Sequence, residues 1–217
     1  MEAPYVNRWT GTVRSFTKEI FDHVQKSEAL LLEGSSSVPE LAYLMDLVVR
    51  FDVHRVIEIG FNIGFSSHAF LTAREDVTVV SFDRPGSLAV SVAKEFIDKK
   101  FPGRHQLILG DSRETLPNFL SNTALAAAFQ LAFVDGGHEY DISSSDLRNC
   151  HTACPPGAIV VMDDLTPWVP WGIGPTKAWL EAVETGIVEP LEIHRDGIVT
   201  ERIEGPADRV WGMGRFA

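Results

Sequence analysis

Acidic residues stand at intervals along this chain, each directly after a short apolar run: Asp83, Asp111, Asp135 and the pair Asp163-Asp164. A further acid, Glu58, precedes a glycine turn, Gly60-Phe-Asn-Ile-Gly64. Two glycines let a backbone turn tightly and approach a ligand closely, and Ser66 just beyond is placed to cap a helix. The dinucleotide fingerprint G-x-G-x-x-G is absent, because the spacing here is G-x-x-x-G. That spacing offers no close pyrophosphate cradle and weakens a nicotinamide reading. Asp83 lies about twenty residues beyond the turn, where a carboxylate accepts both hydroxyls of a ribose; its plainer reading is a solvated loop acid. Asp111-Ser112 either faces an adenine edge or caps the next turn. Each acid alone has an ordinary explanation, but acids at one strand end after another are hard to explain as surface decoration.

The elements that position these residues alternate. Arg55–Ile59 reads as a short apolar strand, Ser66–Ala73 as a helix, and Val77–Phe82 as a second strand. Ser87–Phe101 is an amphipathic helix with Leu88, Val92 and Phe96 spaced by four, closed by Pro102-Gly103. Gln106–Leu109, Leu131–Val134 and Ala158–Met162 are the third, fourth and fifth strands, with helices over Pro117–Ala127 and Ser143–Cys154 between them. Buried strands alternating with helices predict an α/β fold, a doubly wound parallel sheet covered on both faces. Ligands of such sheets bind beyond the carboxyl ends of the strands, where the acids sit. Ahead of this unit, Phe16, Ile20, Val24 and Leu30–Leu32 recur at helical spacing. Gly34–Ser37 then breaks the chain, and Val38–Phe51 is a second helix with Leu41, Leu44, Met45 and Val48 on one face. Past Asp164 comes a loop rich in Pro, Trp and Gly, then a helix opened by Pro175 and closed by Gly186. Leu191–His194, the Asp196-Gly197 turn, Ile198–Ile203 and Arg209–Phe216 read as antiparallel strands.

Length and charge narrow the function. The 217 residues suit one domain with a full core. With 19 basic against 30 acidic residues, the formal net charge of −11 repels phosphate backbones and argues against a nucleic-acid partner. The longest nearly apolar run, Ala124–Val134, is too short for a bilayer, which needs about 20 residues. Met1–Gly11 carries no secretory pattern. Cys150 and Cys154 lie one helical turn apart with too few neighbouring ligands for zinc, which suits reduced thiols and a cytoplasmic protein.

Taken in order, Glu58-Ile-Gly-Phe-Asn-Ile-Gly-Phe-Ser66, Phe133-Val-Asp-Gly-Gly-His138 and Val160-Val-Met-Asp-Asp164 resemble class I S-adenosylmethionine-dependent methyltransferases over about Val56–Trp179. Within that class the chain is similar to small O-methyltransferases of the catechol type and to metal-dependent sugar O-methyltransferases of antibiotic biosynthesis. The resemblance implies a Rossmann-like, mostly parallel seven-stranded sheet with N-terminal helices and an antiparallel C-terminal hairpin. It divides the chain into a helical extension, 1–52, serving as lid or dimer contact, and a cofactor-binding domain, 53–217. It implies that Gly60–Gly64 holds the methionine part of S-adenosylmethionine with Glu58 and Ser66 in support, that Asp83 binds the ribose, and that Asp111 and Ser112 border the adenine. It also implies that Asp135, Asp163 and Asp164 bind Mg²⁺, with Asp135 touching the cofactor as well.

Chemistry supports that metal assignment. Mg²⁺ takes hard oxygen ligands and keeps several waters, and three clustered carboxylates without a cation would repel one another. His138, three residues after Asp135, has the titration range to take a hydroxyl proton as a methyl group moves; its plainer role is to anchor the Gly136-Gly137 loop. Catechol-type relatives carry lysine here, which puts a catechol acceptor in doubt. Trp168, Trp171 and Trp179 either wall a flat acceptor or form a rigid packed segment. The expected function is O-methylation of a small natural product, phenol or sugar diol. The alternatives are a metal-independent methyltransferase and a non-catalytic or hydroxylation-associated cofactor-binding subunit, the latter suggested by a cephalosporin-modifying relative. A homodimer through the N-terminal helices is a further expectation.

Overall fold

The computed structural model describes residues 4–27, 36–122 and 127–217. The chain enters through helix α1 (Pro4–Lys26) and helix α2 (Val38–Arg50). Four strand–helix steps and a fifth strand follow: β1 (Arg55–Ile59), α3 (Phe65–Ala73), β2 (Thr78–Asp83), α4 (Leu88–Lys100), β3 (His105–Leu109), α5 (Ser112–Ser121), β4 (Leu131–Val134), α6 (Tyr140–Ala153) and β5 (Ile159–Met162). A 3₁₀ turn, Pro170–Gly172, leads into α7 (Ile173–Glu184), and β6 (Val188–Arg195), β7 (Ile198–Thr200) and β8 (Val210–Phe216) complete the order. Leu30–Leu32 and most of the segment after Ser121 that the sequence assigns to a helix lie outside the described residues.

One sheet carries all the described strands, in the order β3-β2-β1-β4-β5-β8-β6-β7. Strands β1 to β5 are parallel, whereas β8 runs antiparallel to both β5 and β6. The described sheet has eight strands rather than the expected seven, because the short β7 folds back on β6 as an added edge. Side chains alternate between faces along a strand, and the core divides accordingly. Leu131, Phe133, Ile159 and Val161 pack with α1, α2, α3 and α4. Ala132, Val134, Val160 and Met162 pack with α6 and α7. Burial on both faces is why these strands read as continuous apolar runs.

Two helix ends correct the sequence reading. Helix α5 starts at Ser112, not Pro117, because Asp111 caps it by accepting from the Arg113 amide at 3.0 Å. Pro117 lies inside it. Helix α7 begins at Ile173, ahead of Pro175. Cys150 and Cys154 are buried free thiols, and burial pushes Cys154 up to about 12. Among the described residues no helix is long and apolar enough to cross a membrane.

Arg104, just before β3, ties the end of α3 to the start of β2. Its guanidinium donates to the carbonyls of Leu71 (2.9 Å), Arg74 (2.9 Å), Glu75 (3.0 Å) and Val77 (3.3 Å). Replacing Arg104 with alanine strands these acceptors and is expected to lower unfolding stability by about 2–3 kcal/mol, the worth of a charged hydrogen-bonding group. Urea denaturation checks this, and an unchanged midpoint would contradict it.

Candidate active site

The strand order reverses between β1 and β4, and a doubly wound sheet opens its ligand crevice at such a point. Gly60 leaves β1 there with φ +96°, and a Cβ on it would lie 1.9 Å from the Asp135 carbonyl oxygen. Only glycine fits. Gly64, at φ +76°, is the residue that precedes the first turn of α3. Ser66 therefore does not cap that helix. Its hydroxyl serves Glu58 instead.

Glu58 is buried beneath the glycine turn, and its Oε2 accepts from Ser67 and Ser81, each at 2.5 Å. A hydroxyl has one proton to give, so both serines spend theirs on Glu58 and present lone pairs to His105 Nε2, at 3.3 and 2.9 Å. His105 is thereby the neutral Nε2–H tautomer, and burial holds its pKa down to about 3. Burial raises Glu58 to about 6 against the opposing pull of the serine hydroxyls. Asp83 closes the turn from the other side, its Oδ2 accepting from the Phe61 and Asn62 amides at 3.0 and 2.6 Å.

Asp111 takes the capping option, and Arg113 also grips it through Nε and Nη2 at 2.9 and 2.5 Å. Those hydrogen bonds hold its carboxyl at about 2. Ser112 instead faces Asp146, a buried acid on α6 that the sequence reading missed. Burial raises Asp146 to about 6, and it sits against Gly136.

The register Val134↔Met162 sets Asp135 beside Asp163 across neighbouring strands. Continued strand geometry would send Asp163 and Asp164 to opposite faces. Asp164 instead adopts φ +58°, a left-handed conformation that aspartate tolerates. Asp135, Asp163 and Asp164 then offer oxygens all within 4.8 Å of one another. His138 Nε2 lies 2.9 Å from Asp164 Oδ2. An open cleft borders the acids, with Gly137, His138, Ser143, Met162 and Pro175 in its wall. Gly174 on α7 supports this wall, because a Cβ there would lie 2.2 Å from the His138 carbonyl oxygen.

Two more charges come from outside the alternating unit. Glu40 is fully buried on α2, its Oε2 accepting from the Ser37 amide in a capping box, and its carboxyl faces Asp163. Burial and then the repulsion of Asp163 and Asp135 push Glu40 well above the usual carboxylate range. Arg209, just before β8, places Nη1 at 3.4 Å from Asp164 and 3.8 Å from Asp163. Burial and mutual repulsion raise Asp135 well above its ordinary value and Asp163 to about 6. Ser37-Val-Pro-Glu40 was legible as a capping box; Arg209 carries no local motif.

The aromatic loop divides. Trp179 is in the core, Trp168 packs over Gly205 with its indole N–H toward the Ala207 carbonyl (3.4 Å), and Trp171 is exposed. The rigid packed segment thus describes Trp168 and Trp179, and Trp171 alone of the three is open to solvent.

Comparison with known proteins agrees with this fold. Residues 57–165 match the family model described as "Methyltransferase domain". No curated protein matches the sequence significantly. Among solved structures, an O-methyltransferase from Bacillus cereus in complex with SAH is 15% identical, with a TM-score of 0.73 over 97% of this chain and 99% of that one. The O-methyltransferase TomG from Streptomyces achromogenes, involved in tomaymycin synthesis and solved with SAM, is 20% identical, with a TM-score of 0.66 over 100% and 92%. Cofactor-bound Rv0187 from MTB is 16% identical, with a TM-score of 0.71 over 92% and 88%. The family match spans half the chain and the fold is that of the class I enzymes: the chain belongs to the methyltransferase-domain family.

Proposed function

We propose that this methyltransferase moves the methyl group of S-adenosylmethionine to a hydroxyl oxygen of a small molecule, assisted by Mg²⁺. The observation that carries the reading is the set of Asp135, Asp163 and Asp164 oxygens converging beside His138 at the crevice.

The residues fit both groups. The backbone at Gly60 leaves no room for a side chain, which suits close approach of the methionine part. Asp83 stands at the end of β2, where Oδ2 holds the glycine turn and Oδ1, which accepts from the Arg84 amide, keeps one lone pair for a ribose hydroxyl. Ser112 borders the adenine, and Asp111 shapes that border through its cap. The acids supply hard oxygens that converge within 4.8 Å of one another, and both Asp163 oxygens are buried without a hydrogen-bond partner, which suits a cation ligand. A bound cation lowers the pKa of the acceptor hydroxyl. His138 takes the proton released from that hydroxyl, and Asp164 beside its Nε2 stabilises the imidazolium. Glu40 and the packed α7 keep the acids and the His138 segment in place, which holds the acceptor oxygen on line. In this reading α1 and α2 form a wall of the site, and the product is a methylated natural product, phenol or sugar diol.

Calorimetric titration of Mg²⁺ or Mn²⁺ into protein saturated with S-adenosylhomocysteine tests the proposal. Saturable binding is expected, lost in Asp163→Asn. Since the cation needs ionised carboxylates, and those of Asp135 and Asp163 are held high, affinity is expected to fall as pH drops through about 6. The sign for stability is opposite. Acids with raised folded-state values bind more protons folded than unfolded, so without cation this cluster costs stability as pH rises from about 4 to about 6. One contact favours a metal-independent reaction, Arg209 against the acids, which offsets part of their charge. Absent heat of binding, with the cofactor product still bound, would establish that alternative.

A further inference from the structure

Arg209 is a cation placed where a second cation is called for. Its Nη1 lies 3.4 Å from Asp164 Oδ1 and 3.8 Å from Asp163 Oδ2, so it shares two of the three carboxylates proposed as ligands. The guanidinium cannot give up its charge at any working pH. Nor is the residue loosely held. Its amide donates to Asp196 Oδ1 at 2.9 Å, its carbonyl accepts from the Asp196 amide at 2.9 Å, and the next residue opens β8 against Arg195. The side chain is about three-quarters covered, with 26% of its surface exposed.

We infer that Arg209 is a resident counter-ion that competes with the divalent cation for Asp163 and Asp164 and sets how tightly that cation binds. The inference rests on the proposed metal site. Its physical basis is the sign of the interaction. A fixed positive charge beside the ligands repels an incoming dication through a medium far less screening than water. The guanidinium also occupies lone pairs that coordination needs. The empty-site cost of clustered carboxylates is thereby reduced, and cation affinity is reduced with it. A site tuned in this way holds its cation weakly until an acceptor adds its own oxygens. The acceptors that benefit are those with two adjacent oxygens, since each adds a ligand without adding positive charge.

The opposite role for an arginine here is support, in which it orders the acids and its loss weakens cation binding. The two roles predict opposite signs. The test is Mn²⁺ and Mg²⁺ titration, by calorimetry, of wild type, Arg209→Gln and Arg209→Lys, each saturated with S-adenosylhomocysteine, with thermal unfolding run alongside. Competition predicts that Arg209→Gln binds Mn²⁺ at least about tenfold more tightly, given the strength of charge–charge terms at such distances, and that Arg209→Lys stays near wild type. Equal or weaker binding by a folded Arg209→Gln overturns the inference while leaving the metal site standing. Should that variant unfold, Arg209→Met carries the same prediction. No binding by any folded variant removes both the inference and the metal site. Cofactor-product binding measured in the same cell keeps the methyltransferase reading separate from either result.

Discussion

Asp163→Asn is expected to lower kcat by about 10²–10³-fold, the loss of several kcal/mol of charge stabilisation in the transition state. Affinity for S-adenosylhomocysteine should change little, because Asp163 lies on the Met162 side of the crevice and Asp83 and the glycine turn are beyond Asp135. The amide keeps the shape and one carbonyl oxygen of the aspartate. What it removes is a charge. In a cluster where burial and repulsion already raise the carboxylates, that charge is the quantity that recruits a cation. Single-turnover kinetics with saturating cofactor, run with and without chelator, make the measurement. If Asp163→Asn keeps full activity in chelator, the acids serve structure and the metal assignment is wrong.

Asp83→Ala should show the reverse pattern, with cofactor affinity down by about 10²-fold, the equivalent of one or two charged hydrogen bonds, and kcat near wild type at saturation. Two losses combine in this variant. The ribose acceptor disappears, and the Phe61 and Asn62 amides lose the oxygen that shapes the glycine turn. Asp83→Asn separates them, since an amide oxygen still accepts from the turn while the charge is gone. An intermediate affinity for Asn assigns part of the effect to turn geometry. Wild-type affinity in Asp83→Ala would remove this residue from the cofactor site.

The parallel half of the fold was legible because its strands are buried on both sides. Arg55–Ile59 and Leu131–Val134 coincide with β1 and β4, each a short, largely buried run cut off by a turn residue. The misreading of α5 came from weighting Pro117 over a better signal. Asp111 followed by Glu114 is a helix-start pattern, and Pro117 lies inside the helix rather than opening it. Asp83, Asp135, Asp163 and Asp164 were readable as strand-end acids. The structure places Asp135, Asp163 and Asp164 together at the crevice and Asp83 against the glycine turn beside them. Glu40 and Arg209 were not readable as site residues, for a reason that is geometric. Glu40 sits on a helix whose start packs at the carboxyl edge of the sheet, and Arg209 precedes a strand that enters between β5 and β6. No local pattern announces such an approach between residues far apart in sequence. Ser66 illustrates the same limit at short range, since its hydroxyl was drawn to a buried acid rather than to the helix end.

The position of β8 makes the end of the strand order an inner part of the sheet. It is made after every other strand of the sheet, yet it lies inside the sheet, hydrogen-bonded to β5 on one side and β6 on the other. As the chain emerges from the ribosome, β1 to β5 and their helices are able to pair while β5 still presents an open edge, and open edges invite pairing with the wrong chain. The residue that opens this strand's approach is Arg209, so insertion of β8 closes the edge and delivers the counter-ion to the acids in one event. Closing the sheet through contacts between distant parts of the chain is slow. Until it happens, Asp163 and Asp164 stand without the neighbouring guanidinium of Arg209.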